Sequence, residues 1–71
     1  MLHMNNSALS ARIWSHLKSM STAKSENMAQ YMNGMLAGML IERQVPYEER
    51  ERICKFSDNV AYRRAEELRN A

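Results

Sequence analysis

The chain has 71 residues, of which 45% are hydrophobic and 25% are charged, so it can form one small domain and no more. Its single cysteine, Cys54, cannot form an internal disulfide, and Cys54, His3 and His16 lack the spacing of zinc ligands. The net charge of +2 is too small to indicate strong nucleic-acid binding. We therefore expect a protein of a reducing cytoplasm, with no metal and no cofactor.

No segment of the sequence is predicted to contact a membrane. The longest uninterrupted apolar segment covers residues 34–41, whereas a helix needs roughly 20 apolar residues to cross a bilayer. No charged segment leads into an apolar run near the first residue, so we expect no signal peptide.

The distribution of residue types predicts an all-α fold. Proline occurs once, at Pro46, and no alternating run of valine, isoleucine and threonine predicts a strand. We expect an antiparallel helical hairpin with an additional N-terminal helix, completed into a helical bundle by dimerisation. A chain this short, without disulfides or a metal, commonly needs a partner for stability.

The N-terminal residues are predicted to form a frayed tail followed by a helix. The tail covers residues 1–6, and the helix covers residues 7–20, with Ser7 as its N-cap. One face of this helix is apolar, with Trp14 at its edge, and consists of Leu9, Ile13, Leu17 and Met20.

A break is expected after this helix, because serine and threonine side chains around residues 19–22 compete for backbone hydrogen bonds. Thr22 or Ser25 would then cap a central helix over residues 22–44. One long bent helix over residues 7–44 is the alternative, since neither glycine nor proline interrupts the junction.

The central helix is apolar on every side, which predicts burial on more than one side. One half carries a stripe of Met28, Met32, Met35 and Met39, widened by Leu36 and Leu40, and the other half carries Gly34, Ala37, Gly38 and Ile41. The methionine stripe is either the core of the hairpin or an adaptable docking surface. Gly34 and Gly38 have the spacing that lets helix backbones approach closely, so we expect a crossing there by the first helix or by a second subunit. The alternative is that the helix tolerates both glycines without a crossing.

A C-terminal helix is predicted over residues 46–69, because Pro46 suits a helix start and Glu48 and Glu49 complement its dipole. Its apolar face carries Ile53, Phe56 and Val60, and Cys54 at the flank is expected to be a small buried hydrophobe. Arg64 lies within this arc, either snorkelling at the rim or forming an intersubunit salt bridge.

Catalysis is not predicted, because the sequence contains no cluster of serine, histidine and acid and no glycine-rich phosphate loop. The leading hypothesis is a non-enzymatic protein–protein interaction module that acts as an accessory regulator or inhibitor, as a homodimer. Its size is typical of the small regulators that bacteria, phages and plasmids encode. The expected self-association or partner interface consists of Met28, Met32, Gly34, Met35, Leu36, Gly38, Met39, Leu40, Ile41, Ile53, Phe56 and Val60.

The alternative hypothesis is a nucleic-acid-binding regulator. Residues 1–25 contain three basic residues and no acid, and the candidates for contact with phosphates or with an acidic partner are Arg12, Lys18 and Lys24. Dimerisation would double this basic helix into a larger patch. A protein partner remains the better supported expectation, because three charges spread along one helix are a weak electrostatic footprint.

Overall fold

The computed structural model of the chain describes residues 7–71 and contains three α-helices. Helix α1 spans Ser7–Ser21, α2 spans Glu26–Glu42 and α3 spans Tyr47–Arg69. Each helix packs against the other two, and residues 7–71 contain no strand, which confirms the all-α fold. The predicted tail over residues 1–6 lies outside the described residues.

The polar residues between α1 and α2 end one helix and begin the next. The hydroxyls of Ser21 and Thr22 both donate to the backbone carbonyl of Lys18, at 2.8 and 3.3 Å. Ser25 is the N-cap of α2, because its side-chain oxygen accepts a hydrogen bond from the backbone N–H of Met28 at 3.1 Å. The chain therefore leaves the helical path between the two helices, as side-chain competition for backbone groups predicts.

The turn between α2 and α3 is a Schellman motif. The N–H of Val45 donates to the carbonyl of Leu40 at 3.0 Å, and the N–H of Gln44 donates to the carbonyl of Ile41 at 2.9 Å. Gln44 has a φ of 59°, the left-handed conformation that this motif requires and that glycine usually supplies. Val45 and Leu40 are both buried in the core, and Pro46 follows at once, so α3 starts in a new direction.

The core lies where the three helices meet. Met20, Leu36 and Leu40 have no measurable exposure. The predicted face of α1 points into this core, since Leu9, Leu17 and Met20 are buried and Ile13 packs against them. Three side-chain hydrogen bonds connect α2 to α3, and they join Arg69 to Glu26, Asn33 to Asp58 and Ser57 to Asn33.

Candidate interaction surfaces

The half of α2 that faces away from α1 and α3 is an exposed apolar surface, which we call the α2 outer face. It consists of Met28, Tyr31, Gly34, Met35, Gly38 and Ile41. Tyr31 is 65% exposed, Ile41 60%, and Met28 and Met35 44% each. Residues 27–41 include no charged side chain, so the surface is uncharged along four turns of helix. Contiguous exposed apolar patches of this kind mark interaction sites in soluble proteins.

The two glycines lie in the middle of the α2 outer face, and no described part of the chain covers them. A Cβ atom added at Gly34 or at Gly38 would have no heavy atom within 4 Å, apart from the neighbouring helix backbone. Helix α1 therefore does not make the close crossing that their spacing predicts. A crossing by a second subunit and glycines tolerated without any crossing are both compatible with this arrangement.

The remaining predicted interface residues divide between core and surface. Leu36 and Leu40 are fully buried, and Met32, Met39, Ile53 and Val60 are partly buried and pack against the core. Phe56 is 50% exposed. The methionine stripe is therefore divided: Met32 and Met39 pack against the core, whereas Met28 and Met35 are exposed on the α2 outer face.

A second apolar surface is a groove of about 430 Å³ between α1 and α3, with no α2 residue in its lining. The lining is mostly apolar and consists of Ser10, Ile13, Trp14, Leu17, Glu49, Arg52, Ile53 and Phe56. Within it, the rings of Trp14 and Phe56 pack edge to face, with centroids 6.1 Å apart. We call this surface the α1–α3 groove. The sequence places Trp14 at the edge of a helix face, but its pairing with Phe56 joins residues far apart in the chain.

A buried polar cluster lies beside the core and was not predicted. Ser57 is 1% exposed, and its hydroxyl lies within hydrogen-bonding distance of Asn33 Oδ1 and of the Met20 sulfur. Asn33 Nδ2 also donates to Asp58 Oδ1 at 2.8 Å. The signal that could have identified Asn33 is its position directly before the apolar segment 34–41. The cluster connects all three helices, so its role is structural.

Arg64 forms hydrogen bonds within the chain. Its Nε donates to the backbone carbonyl of Ala23 at 2.7 Å, and one terminal nitrogen donates to Glu67 Oε1 at 3.0 Å. The guanidinium group therefore links α3 to the connection between α1 and α2. Both hydrogen bonds of Arg64 lie within one chain, so they do not require the intersubunit salt bridge considered from the sequence.

The three basic candidates are exposed but do not share one patch. Arg12 and Lys18 are six residues apart on α1, so they lie roughly 120° apart around the helix. Lys24 lies in the connection before α2. Arg12 and Lys18 therefore lie on different sides of α1 in a single chain.

Cys54 packs against the core from α3 and is half-buried. Burial raises the pKa of its thiol, the nearby carboxylate of Asp58 raises it further, and Arg50 partly offsets both effects. A thiol with a raised pKa is a poor nucleophile at neutral pH. Within residues 7–71, no group of three histidine, cysteine, aspartate or glutamate side chains is placed to hold a metal ion.

No helix in the described part of the chain combines the length and apolar character needed to cross a membrane. The chain matches no protein-family model, no curated protein and no solved structure.

Proposed function

We propose that the chain is a small non-enzymatic interaction module that acts as an accessory regulator or inhibitor by binding another macromolecule, as a homodimer. The observation that carries the proposal is the uncharged, uncovered α2 outer face. Burial of apolar surface contributes roughly 25 cal/mol per Å², so covering Tyr31 and Ile41 would be strongly favourable. Leu36 and Leu40 are buried in the core of the chain, so they take no part in the proposed contact. That contact uses only the exposed residues of the predicted interface.

A second copy is the occupant that the size of the chain favours. Below about 70 to 80 residues a single core supplies little stability, and oligomerisation is a common remedy where disulfides and metals are lacking. In this proposal α2 and α3 form a hairpin, α1 packs across it, and two such units meet through the α2 outer faces.

The α1–α3 groove is then the surface for the regulated partner. Its lining includes no residue of α2, so a contact through the α2 outer face leaves it accessible. Its apolar side chains fit a row of apolar side chains on a partner helix, since an amphipathic helix in a groove is a common mode of recognition. Glu49 and Arg52 of the lining offset each other, and Lys18, one turn after Trp14, adds a positive charge nearby, so the partner helix would carry acidic flanks.

The dimer is tested by introducing a charge into the α2 outer face. We expect Tyr31→Glu to convert the dimer to a monomer in sedimentation equilibrium, because an uncompensated carboxylate would be buried. The matched control is Tyr62→Glu, which makes the same change at a tyrosine of α3 that is 60% exposed and outside the face. Circular dichroism should show that both variants remain helical. Equal masses for the two variants would contradict this assignment of the surface.

The groove is tested through Trp14, which is the only tryptophan and so reports on this site alone. The probe is a synthetic helical peptide with leucine on one face and glutamate on the other, and the control peptide carries lysine in place of glutamate. We expect the acidic peptide to change Trp14 fluorescence and to bind several-fold more tightly than the basic one. Loss of this binding in Phe56→Ala would assign it to the groove, whereas equal binding of the two peptides would contradict the acidic partner.

Nucleic-acid binding has weaker support, because Arg12, Lys18 and Lys24 do not converge in one chain. A regulator of this class would bind DNA or RNA at low salt, and its affinity would fall steeply as salt is raised. Lack of binding at low salt would eliminate this alternative.

A further inference from the structure

We propose that the two copies meet antiparallel, with Gly34 of one α2 helix against Gly38 of the other. This inference rests on the homodimer of the proposed function and adds the arrangement of its two helices. It makes the interface a two-fold, self-complementary contact whose axis passes beside the level of Leu36.

The glycines carry the first step of the argument. Gly34 and Gly38 lie one turn apart in the middle of the exposed face, and a Cβ at either position would meet open space. Each glycine makes an exposed helix about 1 kcal/mol less stable than alanine would. A helix that crosses here can bring its backbone into close contact, which offsets this cost, and the flanking side chains of Tyr31 and Ile41 then enclose the crossing.

Charge decides the direction. The only charge that the end of α2 contributes to the outer face is Glu42, which follows Tyr31, Met35 and Gly38 at helical spacing. A parallel pair would place the two Glu42 carboxylates side by side. An antiparallel pair with Gly34 against Gly38 separates the two carboxylates, because each Glu42 then lies opposite the uncharged Gln30, about one turn inside the positive end of the other helix.

The carboxylate at the start of α2 does not cancel this attraction. Glu26 is already paired with Arg69 of α3, with Arg69 Nε 3.1 Å from Glu26 Oε2. The start of α2 therefore presents no unpaired carboxylate that would repel Glu42 of a second copy. The residues between the two ends of the face, 27–41, are uncharged.

The area is sufficient for a specific contact. From the exposed fractions of its side chains, two outer faces meeting along α2 would together bury on the order of 1,000 Å², about the lower limit for a biological interface. The interface is small enough for the two copies to exchange, which the following experiment exploits.

The experiment is chemical cross-linking between two variants of the full chain. Both carry Cys54→Ser, so each has one cysteine, at Tyr31→Cys in one variant and at Ile41→Cys in the other. The antiparallel pair places these two positions together across the two-fold axis. After the variants are mixed and treated with a short bis-maleimide, mass spectrometry distinguishes the mixed product from the two same-position products.

We expect the mixed product to exceed each same-position product several-fold. Predominance of the same-position products would show a parallel pair and overturn the arrangement. A second pair, Gln30→Cys with Glu42→Cys, lies one residue further from the two-fold axis and repeats the test if the first pair weakens association. Tyr62→Cys is the control, because its position on α3 lies outside the contact and it should give little product with either partner.

The two proposals fail in different ways. If the unchanged chain is a monomer in solution, the homodimer of the proposed function is wrong. If it is a dimer that gives same-position products, or no product with either pair, the homodimer stands and the antiparallel contact is wrong.

Discussion

The Nε of Arg64 on α3 donates a hydrogen bond, 2.7 Å long, to the backbone carbonyl of Ala23 in the connection between α1 and α2. Ala23 is 4% exposed, so water has little access to this part of the connection. A charged donor at a poorly hydrated carbonyl forms one of the stronger hydrogen bonds in a folded protein. This bond joins the end of α3 to the point where the chain changes direction.

We expect Arg64→Met to lower the free energy of unfolding by about 1.5 to 3 kcal/mol, because the carbonyl of Ala23 loses its charged donor. Arg63→Met is the matched control at the exposed neighbouring position and should change the stability by less than about 0.5 kcal/mol. Urea unfolding followed by circular dichroism measures both. Equal losses in the two variants would show that the Arg64 bond contributes nothing specific.

The left-handed conformation of Gln44 leads to a stabilising substitution. Gln44→Gly should raise the free energy of unfolding by roughly 0.5 to 1 kcal/mol, since glycine adopts a φ of 59° without steric cost. Arg43→Gly is the control, because Arg43 has a φ of −83° and gains nothing from glycine. A thermal melt should show the two variants moving in opposite directions. A lower melting temperature for Gln44→Gly would contradict the strain assigned to this turn.

Substitution of Gly34 and Gly38 separates the stability of the helix from association. In a chain that remains a monomer, the double change to alanine should stabilise α2 by about 1 to 2 kcal/mol, because both added Cβ atoms enter open space. In the proposed dimer the same Cβ atoms hold the two backbones apart and weaken association. We therefore expect the variant to be more stable at low concentration but to dissociate at concentrations where the unchanged chain is paired. An unchanged dimer affinity would rule out close backbone contact at the glycines.

Cys54 provides a test of the electrostatics inside the molecule. Its pKa is raised by burial and by Asp58, so its reaction with a thiol reagent should reach half-maximal rate at a higher pH in the folded chain than in the unfolded chain. Asp58→Asn keeps an acceptor for Asn33 but removes the negative charge, so the midpoint should move to lower pH. Glu66→Gln, a change at an exposed carboxylate more than three turns away, should leave the midpoint in place. A midpoint unaffected by Asp58→Asn would contradict the assigned role of Asp58.

The raised pKa of Cys54 also determines the direction in which the free energy of unfolding changes with pH. As pH increases above the ordinary pKa of a cysteine, the unfolded chain loses the thiol proton first and the folded chain retains it. The contribution of the Cys54 thiol to the free energy of unfolding is therefore complete at pH values below its pKa in the unfolded chain. This contribution is lost as pH rises through the pKa of the thiol in the folded chain. Cys54→Ser should reduce this alkaline loss of stability.

The helices were predictable because their signals are local. Ser25 caps the backbone three residues away, and Pro46 marks a new helix, so both connections could be located from neighbouring residues. The side of α2 that is covered was not predictable, because the helix is apolar on every side and periodicity alone cannot assign its core face. Asn33 contained the missing information, since its amide points to Ser57 and Asp58 and so orients α2.

The contacts that were missed join distant parts of the sequence. Arg64 and Ala23 are 41 residues apart, and the Trp14 and Phe56 rings meet only after α1 and α3 have packed. Helical spacing places each residue on a face but does not give the rotation of one helix against another. The exposure of Met28 and Met35 beside the burial of Leu36 follows from that rotation.

The central claim is that a second copy covers the α2 outer face, and light scattering of the unchanged chain tests it most directly. We predict a mass that rises with concentration to about twice the 8.3 kDa of one chain, with little change between low and high salt because the contact is mainly apolar. A mass of one chain at every concentration and at both salt levels would contradict the account.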